Sequence, residues 1–138
     1  MTIKAFECLC DDALKIRITV FVEEQGFKDE FDNIDERALH LVMYDGEKAV
    51  ATCRCFYDNS PECWHIGRVA VLKEYRGMGL GKEVMQEAER LIKLRGGKVC
   101  ELSSQCRAKG FYESCGYEAE GDIYLDEGCP HIKMTKHI

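Results

Sequence analysis

The sequence predicts an α+β domain: a mixed, mostly antiparallel sheet of about six or seven strands flanked by about four helices. Three observations carry this. Short β-prone runs punctuated by turn residues occupy much of the chain, one strongly amphipathic helix stands in its middle, and a second helical rhythm lies near the start. At 138 residues the chain has the length of one domain, 1–138, able to bury a core without disulfides or a structural metal.

Residues 3–9 read as the first strand. Asp11 or Asp12 then caps a helix whose apolar rhythm, Leu14, Ile18, Phe21 and Val22, runs to about Glu24, and Gly26 stops it. The following segment is acidic at Asp29, Glu30, Asp32, Asp35 and Glu36, with Phe31 and Ile34 between, and reads as a loop or short helix. Residues 38–44 and 49–57 are apolar runs joined by Asp45-Gly46-Glu47-Lys48, a hairpin turn. Residues 64–72 follow the Asp58-Asn59-Ser60-Pro61 turn, so these three strands run as a meander. From Gly79 the pattern becomes helical: Leu80, Val84, Ala88 and Leu91 share a stripe, with Met85 and Ile92 beside it and Gly96-Gly97 ending it. Residues 98–103 form a strand, 105–114 a short helix stopped near Gly116, and 117–124 and 131–136 the last strands.

A net charge of −6 argues against the phosphate backbone of nucleic acid as a partner. No apolar run reaches the roughly 18 residues of a membrane span, and the first residues lack the apolar core of a signal peptide. A cytoplasmic protein bound neither to membrane nor to nucleic acid is expected. The nine cysteines are odd in number and include no C-x-x-C pair. Cys8 with Cys10, and Cys53 with Cys55, are spaced to share a strand face, so the thiols read as reduced, core-filling side chains and no metal site is expected.

Chemistry first shows in Arg76-Gly77-Met78-Gly79-Leu80-Gly81, which lies between a strand and the central helix. Alternate glycines let several backbone N–H groups approach an anion, and the positive end of the helix dipole points at the same place. Spacing separates the phosphate-binding alternatives. A nucleotide P-loop needs Ser or Thr after Gly81-Lys82, where Glu83 stands, and a dinucleotide fingerprint needs two residues between its second and third glycines, where only Leu80 stands. A flexible surface turn is the remaining reading.

Strand, glycine loop and amphipathic helix in this order resemble the acetyl-CoA signature of the GNAT superfamily of N-acetyltransferases, with Arg76, Gly79 and Gly81 matching its pattern. The resemblance implies that the amides of Gly77, Met78, Gly79, Leu80, Gly81 and Lys82 hold the pyrophosphate of acetyl-CoA, and that Val69, Ala70 and Val71 pair with its pantetheine arm like an added strand. Downstream, residues 105–117 resemble the family's second coenzyme-side helix, with Gln105 where many members carry Asn, and with Phe111 and Tyr112 ahead of Gly116-Tyr117. The run from Arg17 to Gln25, with Asp32, Asp35 and His40, and the segment Pro130-His131-Ile132-Lys133-Met134, further resemble the ElaA-like branch.

Membership implies direct transfer of an acetyl group to a primary amine of a small molecule or peptide in a ternary complex. An amine attacks only as the free base, so a proton acceptor is required; Glu24, His40 and His131 are the candidates. By resemblance Tyr112 protonates the departing thiolate, an ordinary phenol having a pKa of about 10; packing a helix against the sheet is its other reading. Phe111 is the core candidate of the two, since neighbours on a helix point apart. Glu30, Asp32 and Asp35 read either as a solvated acidic loop or as a surface that draws in a cationic acceptor such as a polyamine, an amino sugar or a lysine side chain. Two other functions stay open: a non-catalytic acyl-CoA binding or sensing module, against which Tyr112 speaks, and an interaction protein that uses the fold to form a homodimer.

Overall fold

The computed structural model describes residues 1–28 and 31–138. Among these, the strands are β1 (Thr2–Phe6), β2 (Leu39–Asp45), β3 (Lys48–Phe56), β4 (Cys63–Val71), β5 (Val99–Gln105), β6 (Glu118–Asp126) and β7 (Cys129–His137), with helices α1 (Asp11–Arg17), α2 (Leu80–Leu94) and α3 (Lys109–Ser114). All seven strands join one sheet in the order β1-β2-β3-β4-β5-β7-β6. Every pairing is antiparallel except β4 with β5, which α2 connects as a crossover. The fold class is the α+β class read from the sequence, with three α-helices among the described residues where about four were expected.

Strand β2 is apolar on both faces because both are covered. Leu41 and Met43 face a core with Val84, Met85, Ala88 and Ile92 of α2, while Val42 and Tyr44 meet Ala13 and Ile16 of α1. Cys53, Cys55 and Cys100 fill the α2 side. The other pair expected to share a strand face does not: β1 ends at Phe6, Cys10 becomes the N-cap residue of α1, and Cys8 is exposed. Asp11 and Asp12 sit in the first turn, where the helix dipole favours them, and Asp12 accepts a hydrogen bond from Tyr44 (2.7 Å) instead of capping.

The first helix does reach Glu24, but residues Ile18–Glu24 are wound as a π-helix, the Gln25 amide bonding Val20 five residues back. This wider turn meets a buried charge network. Arg17 donates two hydrogen bonds to Asp35 (2.8 and 3.1 Å), and Arg54 of β3 donates to Asp35 (2.9 Å) and twice to Asp32 (2.6 and 3.1 Å). Asp32 also caps the 3₁₀ turn Asn33–Glu36 and pairs with Arg68 of β4 (3.5 Å). The acidic loop is therefore not a field open to a cationic acceptor at Asp32 and Asp35, whose charges are matched by three arginines; Glu30 lies outside the described residues.

Burial works to raise the Asp35 carboxyl, but Arg17 and Arg54 outweigh it and hold the group at about 2, below the ordinary 3.8. A carboxylate depressed on folding stabilises the protein above its ordinary pKa, and the contribution fades as pH falls through about 2. Urea denaturation should show on the order of 2 kcal/mol lost in this acid range. Asp35→Asn, which leaves two buried guanidiniums short of a partner charge, should cost about 3–5 kcal/mol at neutral pH and flatten the acid dependence.

Candidate active site

The parallel ladder between β4 and β5 has three pairs, Cys63↔Val99, Trp64↔Cys100 and His65↔Glu101. Beyond them β5 continues along β7 and β4 along β3, so the two strands separate. β4 also carries a bulge: Thr52 faces Ala70 and Arg54 faces Gly67, which sets Arg68 and Val69 against Cys53 alone, with Arg68 at a φ of 52°. The bulge turns residues 69–71 along the opened edge.

β4 ends at Val71, and after the 3₁₀ turn Lys73–Tyr75 the chain reaches the glycine loop. Arg76 folds back, its Nε donating to the Val71 carbonyl (2.9 Å) and its two terminal nitrogens to the Glu24 carboxylate (2.7 and 3.0 Å). Gly79 is the N-cap of α2 in the left-handed region, at a φ of 77°. The first α2 amide to find a helical acceptor is that of Glu83, bonded to the Gly79 carbonyl, so the amides of Leu80, Gly81 and Lys82 precede the ladder at the positive end of the helix. Gly81 is needed for closeness: a Cβ there would lie 3.0 Å from the Phe111 ring and 3.6 Å from Val71.

A cavity of about 420 Å³ occupies this opening, bounded by residues 69–71, the glycine loop, and Phe111 and Tyr112 of α3. A second cavity, of about 340 Å³, lies on the other side of the bulge between Phe21, Arg68, Gln105, the Asp126 and Glu127 turn, and His131. Tyr112, Gln25, Val69 and Ala108 line both. Gln25 is tied across the cleft, accepting from Gln105 (2.8 Å), whose own amide oxygen accepts from Arg107 (2.7 Å).

Tyr112 rests against the core with its ring edge-on to Tyr117, and burial, with the Cys53 and Cys115 thiols nearby, pushes its phenol pKa up. Its hydroxyl has no hydrogen-bond partner among the described residues. The assignment of Phe111 to the core reverses: Phe111 is 37% exposed and faces the glycine loop, while Tyr112 is the more buried, because the helix turns the tyrosine toward the sheet. His131 is buried on β7; its Nδ1 lies 2.8 Å from the Cys129 carbonyl, which makes Nδ1 the donor and leaves Nε2 the lone pair.

Of the residues singled out in the sequence, Val69, Ala70, Val71, Arg76, Gly77, Gly79, Leu80, Gly81, Phe111 and Tyr112 come together around the first cavity. Gln105 lines the second. Met78 is exposed and, like Lys82, lies outside the walls of both cavities. Glu24 and His40 line neither. Glu24 is engaged by Arg76, whose hydrogen bonds lower its pKa. His40 is inside the protein, its Nε2 3.0 Å from the Asp35 carbonyl, and burial lowers its pKa. Gln25, Arg68 and Arg107 were not singled out as site residues; they sit on a helix end, a bulge and a 3₁₀ turn far apart in sequence, and no periodicity marks them.

Residues 10–138 match the acetyltransferase (GNAT) domain family. The chain belongs to that family. It is 34% identical over 128 residues to the uncharacterized N-acetyltransferase YjcF of Bacillus subtilis, covering 91% of this chain and 90% of that one. Among solved structures, Escherichia coli ElaA superposes with a TM-score of 0.86 at 25% identity, over 99% of each chain. A Bacillus subtilis acetyltransferase in complex with CoA shares the fold, with a TM-score of 0.78 at 16% identity over 99% of this chain and 97% of that one.

In this GNAT domain the left-handed Gly79 makes a direct test of the loop. Gly79→Ala places a side chain at a φ of 77° and should lower stability by about 1–2 kcal/mol in chemical denaturation, with no steric clash to add to it.

Proposed function

We propose that the protein transfers the acetyl group of acetyl-CoA to a primary amine of a small molecule or peptide, directly, while both substrates are bound. The observation that carries this reading is that Tyr112 stands where the glycine-loop cavity meets the cavity lined by His131. A donor in the first and an acceptor in the second would meet at that side chain.

On this reading the amides of residues 77–82 hold the coenzyme pyrophosphate, and the opened edge of residues 69–71 pairs with the pantetheine arm. Arg76 acts by holding the loop to Val71 and Glu24. Phe111 forms a wall against the glycine loop, and Gln105 closes the cleft through Gln25. A fold relative solved with CoA supports the cosubstrate.

His131 Nε2 accepts the proton of the incoming ammonium or of the attacking amine, with its Nδ1–H held by the Cys129 carbonyl. The amine lone pair adds to the thioester carbonyl carbon, the C–S bond breaks, and the thiolate takes the Tyr112 proton. Burial that raises the phenol also raises the proton affinity of a thiolate released beside it, so the transfer stays matched. Asp126, Glu127, Arg68 and Arg107 all line the acceptor cavity, a mixture that admits an amine carrying further polar groups. The odd number of cysteines and the absence of a C-x-x-C pair from the sequence favour a reducing, cytoplasmic setting.

Acetyl-CoA at about 100 times its Kd should stabilise the protein by roughly 2.7 kcal/mol, and a panel of amines, amino sugars and peptides should release free thiol from it. Absence of both effects would end the proposal. Tyr112→Phe should lower kcat about 10²-fold or more with coenzyme affinity nearly unchanged. His131→Ala should lower kcat by a similar factor and recover in part with added imidazole; wild-type turnover in that variant would remove His131 from the mechanism.

A further inference from the structure

Helix α2 covers one face of β4 and β5, and α1 covers the other face over β2, β3 and the Ala70 end of β4, so the opposite end of β4 carries polar side chains away from that helix. On β4, Trp64 and Ile66 point into the α2 core, which sends Cys63 and His65, two residues apart, to the other face. Glu101 on β5 is paired with His65 in the parallel ladder and alternates with the core residues Cys100 and Leu102. Three side chains of different donor type thus meet on two rigid strands.

Their donor atoms all lie within 4.8 Å of one another, with His65 Nδ1 3.7 Å from Glu101 Oε2. Donors around a tetrahedral zinc ion stand about 3.5 Å apart, so small side-chain rotations close the set. Two further contacts orient the imidazole. Its ring stacks on Phe56 at 5.2 Å, and its other nitrogen, Nε2, lies 4.0 Å from Asp58 Oδ2, the carboxylate arrangement that commonly backs a metal-bound histidine. Two contacts oppose a cation: Lys133 Nζ lies 3.2 Å from Glu101 Oε1, and the Arg37 guanidinium pairs with Asp58.

We propose that Cys63, His65 and Glu101 bind one borderline-soft divalent cation of the zinc class, with solvent or a small anion as fourth ligand. The thiolate and carboxylate charges balance the dication, His65 binds as the neutral ring, and the Cys63 proton leaves to solvent on binding. Because His65↔Glu101 is the last rung before β4 and β5 part, the ion cross-links the two strands at the root of the cleft. Lys133 sets the affinity by competing for Glu101. Sequence spacing does not reveal the set, since Glu101 stands 36 positions beyond His65 and joins it only through strand pairing.

The test uses the full chain under a non-thiol reductant. Co²⁺ should bind in one equivalent and produce thiolate-to-metal absorption, and Zn²⁺ should compete it away. Cys63→Ser should abolish that absorption, Cys8→Ser should leave it, Glu101→Gln should weaken Zn²⁺ roughly tenfold or more in a chelator competition, and Lys133→Gln should tighten it. A folded wild type without the absorption, or absorption that survives Cys63→Ser, overturns the proposal. Should Cys63→Ser fail to fold, unchanged Zn²⁺ affinity in both Glu101→Gln and Lys133→Gln overturns it equally.

Discussion

The site depends on the parallel ladder between β4 and β5 stopping at His65 and Glu101. A strand that leaves its neighbour exposes a row of main-chain N–H and C=O groups that must be met by something else. Here the row is turned by the bulge at Arg68 and Val69 and runs straight into the glycine loop, because the crossover to β5 has to leave from the same end of β4. Open edge, glycine loop and helix N-terminus are therefore one consequence of a single parting of strands. α3, which follows β5, closes the opening from the far side and brings Tyr112 to the junction of the two cavities.

The buried charges answer a second requirement. The π-helical turn, the Asn33–Glu36 turn and the β4 bulge are irregular and come from distant parts of the chain, and Arg17, Asp35, Arg54, Asp32 and Arg68 bind them together. Such a network is costly to desolvate, and Arg54 Nε lacks a hydrogen-bond partner among the described residues. What it supplies is direction: guanidinium forks donate to carboxylates in few geometries, so the three irregular pieces meet in one arrangement. Phe31 lies over the Arg17 guanidinium at 4.9 Å and closes the cluster on that side.

Regular structure was legible because its signals are local. The α2 stripe, the Asp45 to Lys48 hairpin and the runs of the central strands all reappear within a residue or two of where the periodicity put them. The glycine loop was legible for the same reason, its spacing being a local property of one turn. What escaped depends on pairing across the fold. Glu24 and the acidic residues Asp32 and Asp35 look free in the sequence and are claimed by arginines as many as 52 positions away. The order of burial of Phe111 and Tyr112 turned on where a six-residue helix meets the sheet, which no stripe of so short a length can report. His131 was visible as a candidate, but its fitness rests on a carbonyl two residues back that only the strand geometry aims at it.

The contact between Gly81 and Phe111 links two positions thirty residues apart into one unit of volume. Only a hydrogen atom separates the loop from the ring, so any larger residue at 81 demands a smaller or displaced one at 111, and neither can drift alone. Across natural variants of this chain the two positions would be expected to change in concert, with the aromatic ring serving as the gauge of how near the loop can stand.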